Sequence, residues 1–242
     1  MPRFSVELDQ TQGTDQTEER LVVSFPDGTR DEMRLHEYDR VYAVPGLYEE
    51  VVQRRLQCRS PVELATALVE QVHARGEDPA DLRVLDFGAG NGVVGEELRG
   101  CGVGGPLVGV DAAAGAPLAA ERDRPGLYAE YVVGDLASSE IPALVERHRL
   151  NCLAGAGALG LGHVSAESLA QAWAAFPPGA WLAATVSEDL IEEQAGDLGG
   201  YLAELRAGRH GTEVLELRRF RHRLRMSGEP IHYYVIVARR DD

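Results

Sequence analysis

The 242-residue chain predicts an α/β protein built on a mostly parallel sheet with helices on both faces. Three features predict it. From Arg83 onward, short apolar runs alternate with helical stretches in the rhythm of repeated βα units. A glycine-rich turn, GAGNG, follows the first of those runs, and the chain closes on two β-patterned runs that flank Ser227, Gly228 and Glu229.

The elements follow in order. The first twenty residues, MPRFSVELDQTQGTDQTEER, are polar and aperiodic, and are expected to be a mobile lead-in. LVVSFPDGTRDEMRL carries a turn at Pro26, Asp27 and Gly28 and is expected to be a hairpin. A helix is expected after Pro45, with Leu47, Val51, Val52 and Leu56 on its apolar side. In the next helix, Ser60 is the expected N-cap, Pro61 the first helical residue and Glu63 the partner in a capping box. Val62, Ala65, Leu68, Val69 and Val72 then make one face before Gly76. The strands expected beyond are RVLDF, PLVGVD, EYVVGD, LNCLAG and AWLAATV, with helices starting near Gly92, Ala116, Ser139, Ser165 and Gln194. TEVLELRRFRHRLRM and IHYYVIVARR form the closing antiparallel hairpin. Residues 1–77 are assigned to an N-terminal extension and lid, and residues 78–242 to the core.

Composition narrows the function. With 24 basic against 39 acidic residues the net charge is -15, which opposes the phosphate neutralisation that nucleic-acid binding rests on. All the basic residues are arginine, so chemistry that needs a lysine, such as a Schiff base or a P-loop, is excluded. No apolar run approaches a membrane span, the N-terminus is too polar for a signal peptide, and the three cysteines are far apart. A soluble cytoplasmic protein is the expectation. The histidines and cysteines show no metal-ligand spacing, so no metal is expected.

VLDFGAGNGVVGEEL places Gly88, Gly90 and Gly92 between a strand and a helix, where glycine lets the backbone turn sharply and approach a ligand. Gly90, Gly92 and Gly95 also have the GxGxxG spacing of dinucleotide enzymes, so the loop alone admits an NAD-type cofactor as well. Three acids weigh against it. Asp86 precedes the glycines, where a carboxylate repels a pyrophosphate and attracts the ammonium group of an aminoacyl ligand. Asp111 ends the next strand and suits the hydroxyls of a ribose. Asp135 ends the third, where it would accept from an adenine amino group while Leu136 packs on the ring.

On GAGNG, the acid of GVD, the GDL step, NCLAGAGALG and PPGAWLAATV, residues 83–188 resemble the class I S-adenosylmethionine-dependent methyltransferases of the small-molecule type. The resemblance implies a Rossmann-like, seven-stranded sheet whose last strand is antiparallel, and a chain that methylates a small molecule at O or N and releases S-adenosylhomocysteine. It implies that Asp86, Gly88, Gly90 and Gly92 surround the methionine part of the cofactor, Asp111 the ribose, and Asp135 and Leu136 the adenine. Ala89, Asn91, Ala112 and Ala154 are further expected cofactor-binding residues. The acid often found at the start of the fourth strand is Asn151 here, so no charged role is carried to it. NPPY- and SPP-type sequences of relatives that methylate amino groups and nucleobases are absent. A non-catalytic scaffold that merely holds the cofactor is the third reading.

A general base, if the acceptor needs one, belongs at the carboxyl ends of the strands, and His163 in GALGLGHVSAES is the candidate. Tyr38, Tyr42 and Tyr48 are candidates for a lid over cofactor and acceptor. In RRFRHRLRM, Arg219, Arg221, Arg223 and Arg225 would share one strand face by period two, either solvated or facing an anion. The acceptor itself has no motif.

Overall fold

A small antiparallel sheet opens the chain: β1 (Ser5–Leu8), β2 (Arg20–Ser24) and β3 (Arg30–Arg34), in the order β1-β2-β3. The computed structural model describes residues 4–13, 15–160, 162 and 164–241. The expected hairpin is therefore β2–β3, but part of the expected lead-in is β1, which pairs with β2 from Ser5 opposite Ser24 to Leu8 opposite Leu21. Val6, Leu21, Val23 and Met33 point to one side, where Leu35, Leu47, Val51, Leu56 and Met226 cover them. Four residues are too few for period-two alternation to stand out, so β1 is visible only once its partner strand is known.

Next come α1 (Tyr38–Ala43), a π-helical turn over Glu49–Arg55, and α2 (Ser60–Ala74). The capping box expected at α2 is not formed. Arg59 occupies the cap, the Ser60 hydroxyl faces His222 instead, and Glu63 is held by Arg59 and Arg218. By packing, α2 is part of the core: Leu64, Leu68 and Val72 lie against the central sheet.

That sheet contains β4 (Val84–Phe87), β5 (Leu107–Asp111), β6 (Glu130–Val133), β7 (Cys152–Leu159), β8 (Trp181–Ser187), β9 (Thr212–Leu224) and β10 (Pro230–Arg240). Their order is β6-β5-β4-β7-β8-β10-β9. The first five are parallel, while β10 runs antiparallel to β8 and to β9. The connecting helices are α3 (Val93–Gly100), α4 (Ala116–Asp123), α5 (Ile141–His148), α6 (Ala166–Ala174), α7 (Glu188–Glu192) and α8 (Gly196–Arg206). One face of the sheet packs on α2 and α3 through Leu64, Leu68, Val94 and Leu98, and the other on α5, α6 and α8 through Leu144, Leu169, Trp173 and Leu202. Each such fully buried side chain contributes about 1.5–3 kcal/mol. The five parallel strands and the closing hairpin stand where the sequence puts them. Among the helices, α7, a five-residue helix directly after β8, was not foreseen, and neither was α1, which precedes Pro45.

The arginine run departs from period two. Ile231 opposes Arg223 while His232 opposes Arg221, so His222 is an extra residue, a β-bulge. The bulge turns His222 and Arg223 inward together. Arg223, 3% exposed, donates to Glu19 Oε2 at 2.6 Å, whereas Arg219 stays half-exposed and pairs with Glu188. The four arginines do not form one face.

Candidate functional site

The glycine turn between β4 and α3 is held in shape by its neighbours. Gly88 and Gly90 have φ of +65° and +54°, the left-handed region that side chains disfavour. The Gly88 and Ala89 N–H groups donate to the Val110 carbonyl at 2.8 and 3.2 Å, which ties the turn to β5. The Asp111 carboxylate, at the end of β5, accepts from Gly90 N and from Ala113 N, each at 2.8 Å. Two of its roughly four lone-pair sites are taken in this way. Tyr131 Oη donates to the Gly90 carbonyl at 2.6 Å.

The N-terminal segment closes over this turn. Tyr38, Tyr42 and Tyr48 form a ladder with ring centroids 5.8 and 5.5 Å apart. Polar contacts fasten it: Gly115 N to Asp39 at 2.8 Å, Arg122 to the Tyr42 carbonyl at 2.9 Å, and Asn91 Nδ2 and Arg124 to Glu49 at 2.5 and 3.0 Å. The fit over Gly90 is tight, since a Cβ there would collide with the Tyr42 hydroxyl. Burial pushes the phenol pKa of Tyr42 and Tyr48 far above the ordinary value, so both stay protonated.

Beneath these tyrosines lies a cavity of about 220 Å³ at the carboxyl ends of the parallel strands. Of the residues expected to hold a cofactor, Gly88, Ala89, Gly90, Asn91, Asp111, Ala112, Asp135 and Leu136 line it, as do Tyr38, Tyr42 and Tyr48. Asp135 is exposed, with Oδ1 accepting from Ala137 N at 2.9 Å, while Leu136 is buried beside it.

Asp86, Gly92 and Ala154 do not line the cavity. Asp86 shares the sheet face of Val84 by period two, so it points under α3, is fully buried, and accepts from Tyr128 Oη at 2.7 Å. Burial raises its pKa from 3.8 to about 7, against the opposing pull of the Tyr128 hydrogen bond. Its Oδ1 is sealed off with no partner among the described residues. Ala154 pairs with Asp86 in mid-sheet and is fully buried. A Cβ on Gly92 would lie 3.0 Å from Arg124 Cδ and from Leu127 Cδ2, so protein side chains fill the space beside it. Gly95 packs the same way, 3.0 Å from Leu127 and Tyr128. His163 lies outside the described residues.

The cavity extends past Gly157 and Ala158 at the end of β7 to Arg223, one of the four arginines weighed as an anion-facing set, and to residues that sequence reasoning did not select as site residues: Cys58, Ser60, His222 and Tyr233. His222 stacks on Tyr233 with centroids 4.1 Å apart, and its Nδ1 is 2.6 Å from Ser60 Oγ. Burial lowers its pKa to about 3, so the ring is neutral. The one signal present in the sequence was a histidine at an interleaved position of the arginine alternation, where its neighbours Phe220 and Leu224 are apolar.

No family model and no curated protein matches the sequence. Solved structures do match in shape. Magnesium protoporphyrin IX methyltransferase from Synechocystis PCC 6803, solved with bound S-adenosylhomocysteine, is 15% identical with a TM-score of 0.52, over 79% of this chain and 88% of that one. A putative RNA methyltransferase from Pyrococcus horikoshii is 15% identical with a TM-score of 0.52, over 76% of this chain and 85% of that one. The chain has the class I methyltransferase fold. Identity this low carries the architecture, including the antiparallel closing strands, and leaves the acceptor to the chemistry of the site.

Proposed function

We propose that the chain is an S-adenosylmethionine-dependent methyltransferase acting on a small molecule. The observation that carries the reading is the distribution of the glycines. Gly88 and Gly90, beneath Ala158 and the Tyr42 hydroxyl, line the cavity beside Asp111 and Asp135, while Gly92 and Gly95 do not line it and are packed against Arg124, Leu127 and Tyr128. A dinucleotide needs the middle glycine of GxGxxG open to its pyrophosphate. Here that place is filled by Arg124 and Leu127, and the open part of the cavity is edged by carboxylates, which suit a cation with a ribose.

The residues present fit the cofactor. Gly88 and Gly90, on the cavity wall, would face the aminoacyl part, Asp111 would accept from ribose hydroxyls, and Asp135 and Leu136 would hold the adenine by a hydrogen bond and an apolar contact. When bound, S-adenosylmethionine supplies an electrophilic methyl group on a sulfonium whose departure needs no proton. Orientation is therefore the main contribution of the chain: Tyr38, Tyr42 and Tyr48 exclude water above the turn, and the strand ends fix the line of approach. Asp86 lies one layer below, where it supports α3 through Tyr128.

The net charge of -15 supports a small-molecule acceptor over nucleic acid. Cys58, Cys101 and Cys152 are unpaired thiols, which supports a reducing compartment, and no helix among the described residues is long and apolar enough to cross a membrane. The test is a mass-resolved screen of metabolites with S-adenosylmethionine. A product heavier by one methyl group, with equimolar S-adenosylhomocysteine, is expected, and turnover of NADH with no methyl transfer would reverse the assignment.

A further inference from the structure

The end of the cavity away from the glycine turn has a chemistry of its own. Its walls are largely apolar or aromatic, with Leu35, Tyr38, Tyr48, Val52 and Tyr233, joined by the polar Gln16 and His36. The one buried cation there, Arg223, is neutralised by Glu19, the two side chains being 4% and 3% exposed. No unbalanced charge among the described residues of that wall invites an ionic ligand.

Among the polar side chains on this wall is His222, 8% exposed. A neutral imidazole has one donor and one acceptor nitrogen. Ser60, 1% exposed, has Nδ1 of His222 as its hydroxyl's only hydrogen-bond partner among the described residues, at 2.6 Å. Cys58 Sγ lies 4.0 Å from the same nitrogen. A buried hydroxyl spends its hydrogen where an acceptor is available, so Nδ1 accepts and the ring proton sits on Nε2. Nε2 has no partner among the described residues and is not sealed from the cavity. Stacking on Tyr233 and the bulge backbone hold the ring, with Cε1 4.0 Å from where a Cβ would stand on Gly157. Nε2–H is thus a held donor on the wall of a largely apolar chamber beside the end of β7.

We infer that this chamber is the methyl-acceptor subsite, that it takes an uncharged, flat molecule, and that Nε2–H of His222 donates to an oxygen of that molecule. The inference rests on the methyltransferase reading for the word acceptor; the binding chemistry stands by itself. His222 is then a recognition residue, and Ser60 a positioning residue that sets its tautomer.

The probes are 2-naphthol and naphthalene, flat and alike except for the oxygen, titrated by fluorescence into the full chain with S-adenosylhomocysteine present. Both are expected to bind saturably. His222→Phe, which keeps an aromatic ring, should weaken 2-naphthol about tenfold, the worth of one hydrogen bond to a neutral partner, and leave naphthalene within about twofold. Absence of saturable binding by either probe, or equal losses for both, overturns the inference. Nitrogen NMR on the unmodified protein decides independently of whether the variant folds. The His222 ring should carry its proton on Nε2 and respond to 2-naphthol alone; an Nδ1-protonated ring, or no response, overturns the inference. Calorimetry with S-adenosylhomocysteine on the same sample separates the two readings. If that ligand fails to bind while 2-naphthol does, the methyltransferase reading falls and the subsite stays.

Discussion

Replacing Asp86 by Asn removes a buried acid whose pKa stands at about 7 against an ordinary value of 3.8, the rise coming from burial. Because the folded state holds the proton more tightly than the unfolded chain, folding is favoured by it at low pH. The stability it confers is complete below about pH 4 and disappears as pH rises through about 7. Each tenfold in proton affinity is about 1.4 kcal/mol, so the wild type should lose about 4 kcal/mol across that window on account of this residue. The assay is urea unfolding of wild type and Asp86→Asn at several pH values from 4 to 8. The difference between the two curves cancels the other carboxylates and any fixed cost of seating an amide beside Tyr128. That difference should slope against the wild type by about 1.4 kcal/mol per pH unit near pH 5–6. A flat difference would mean that Asp86 ionises normally in the fold, and the account of a sealed, half-partnered carboxyl under α3 would be wrong.

Asp111→Asn should weaken S-adenosylhomocysteine at least about tenfold by calorimetry, because charge-assisted hydrogen bonds are lost, and should also lower the melting temperature a little because Gly90 N or Ala113 N then meets an amide donor. Unchanged affinity removes Asp111 from the cofactor site. Glu19→Gln strands the Arg223 guanidinium in the interior and should cost about 3–5 kcal/mol in denaturant unfolding, while Glu19→Leu combined with Arg223→Met recovers most of it. A neutral single variant refutes the buried pair. Gly155→Ala would bring a Cβ within 2.5 Å of the Phe87 ring and should cost about 1–3 kcal/mol; no loss would show that β4 and β7 do not approach so closely.

Much of the architecture is legible because local signals suffice for it. RVLDF, PLVGVD and AWLAATV are buried runs bounded by turns, and the closing hairpin has its own turn residues, so β4, β5, β8, β9 and β10 follow from neighbours in sequence. The placement of Asp111, Asp135 and the first two glycines on the cavity wall is legible for the same reason: they sit at the ends of strands that can be counted. What fails needs a long-range partner. Ser60 reads as an N-cap, yet its hydroxyl meets His222, 162 residues away. The bulge that turns His222 and Arg223 inward exists only in register with Ile231 and His232. Asp86 and Ala154 were within reach of period two, since counting from Val84 puts Asp86 on the α2–α3 face, with Ala154 beside it in the sheet. A carboxyl near a strand end was allowed to outweigh the alternation.

The most direct measurement is calorimetric titration of the unmodified chain with S-adenosylhomocysteine, and with NADH as the counterpart. One saturable site per chain for the former, abolished when Asp111 is replaced by Ala, and no heat with NADH is the predicted result. Saturable NADH binding with none for the nucleoside thioether would contradict the assignment of this cleft.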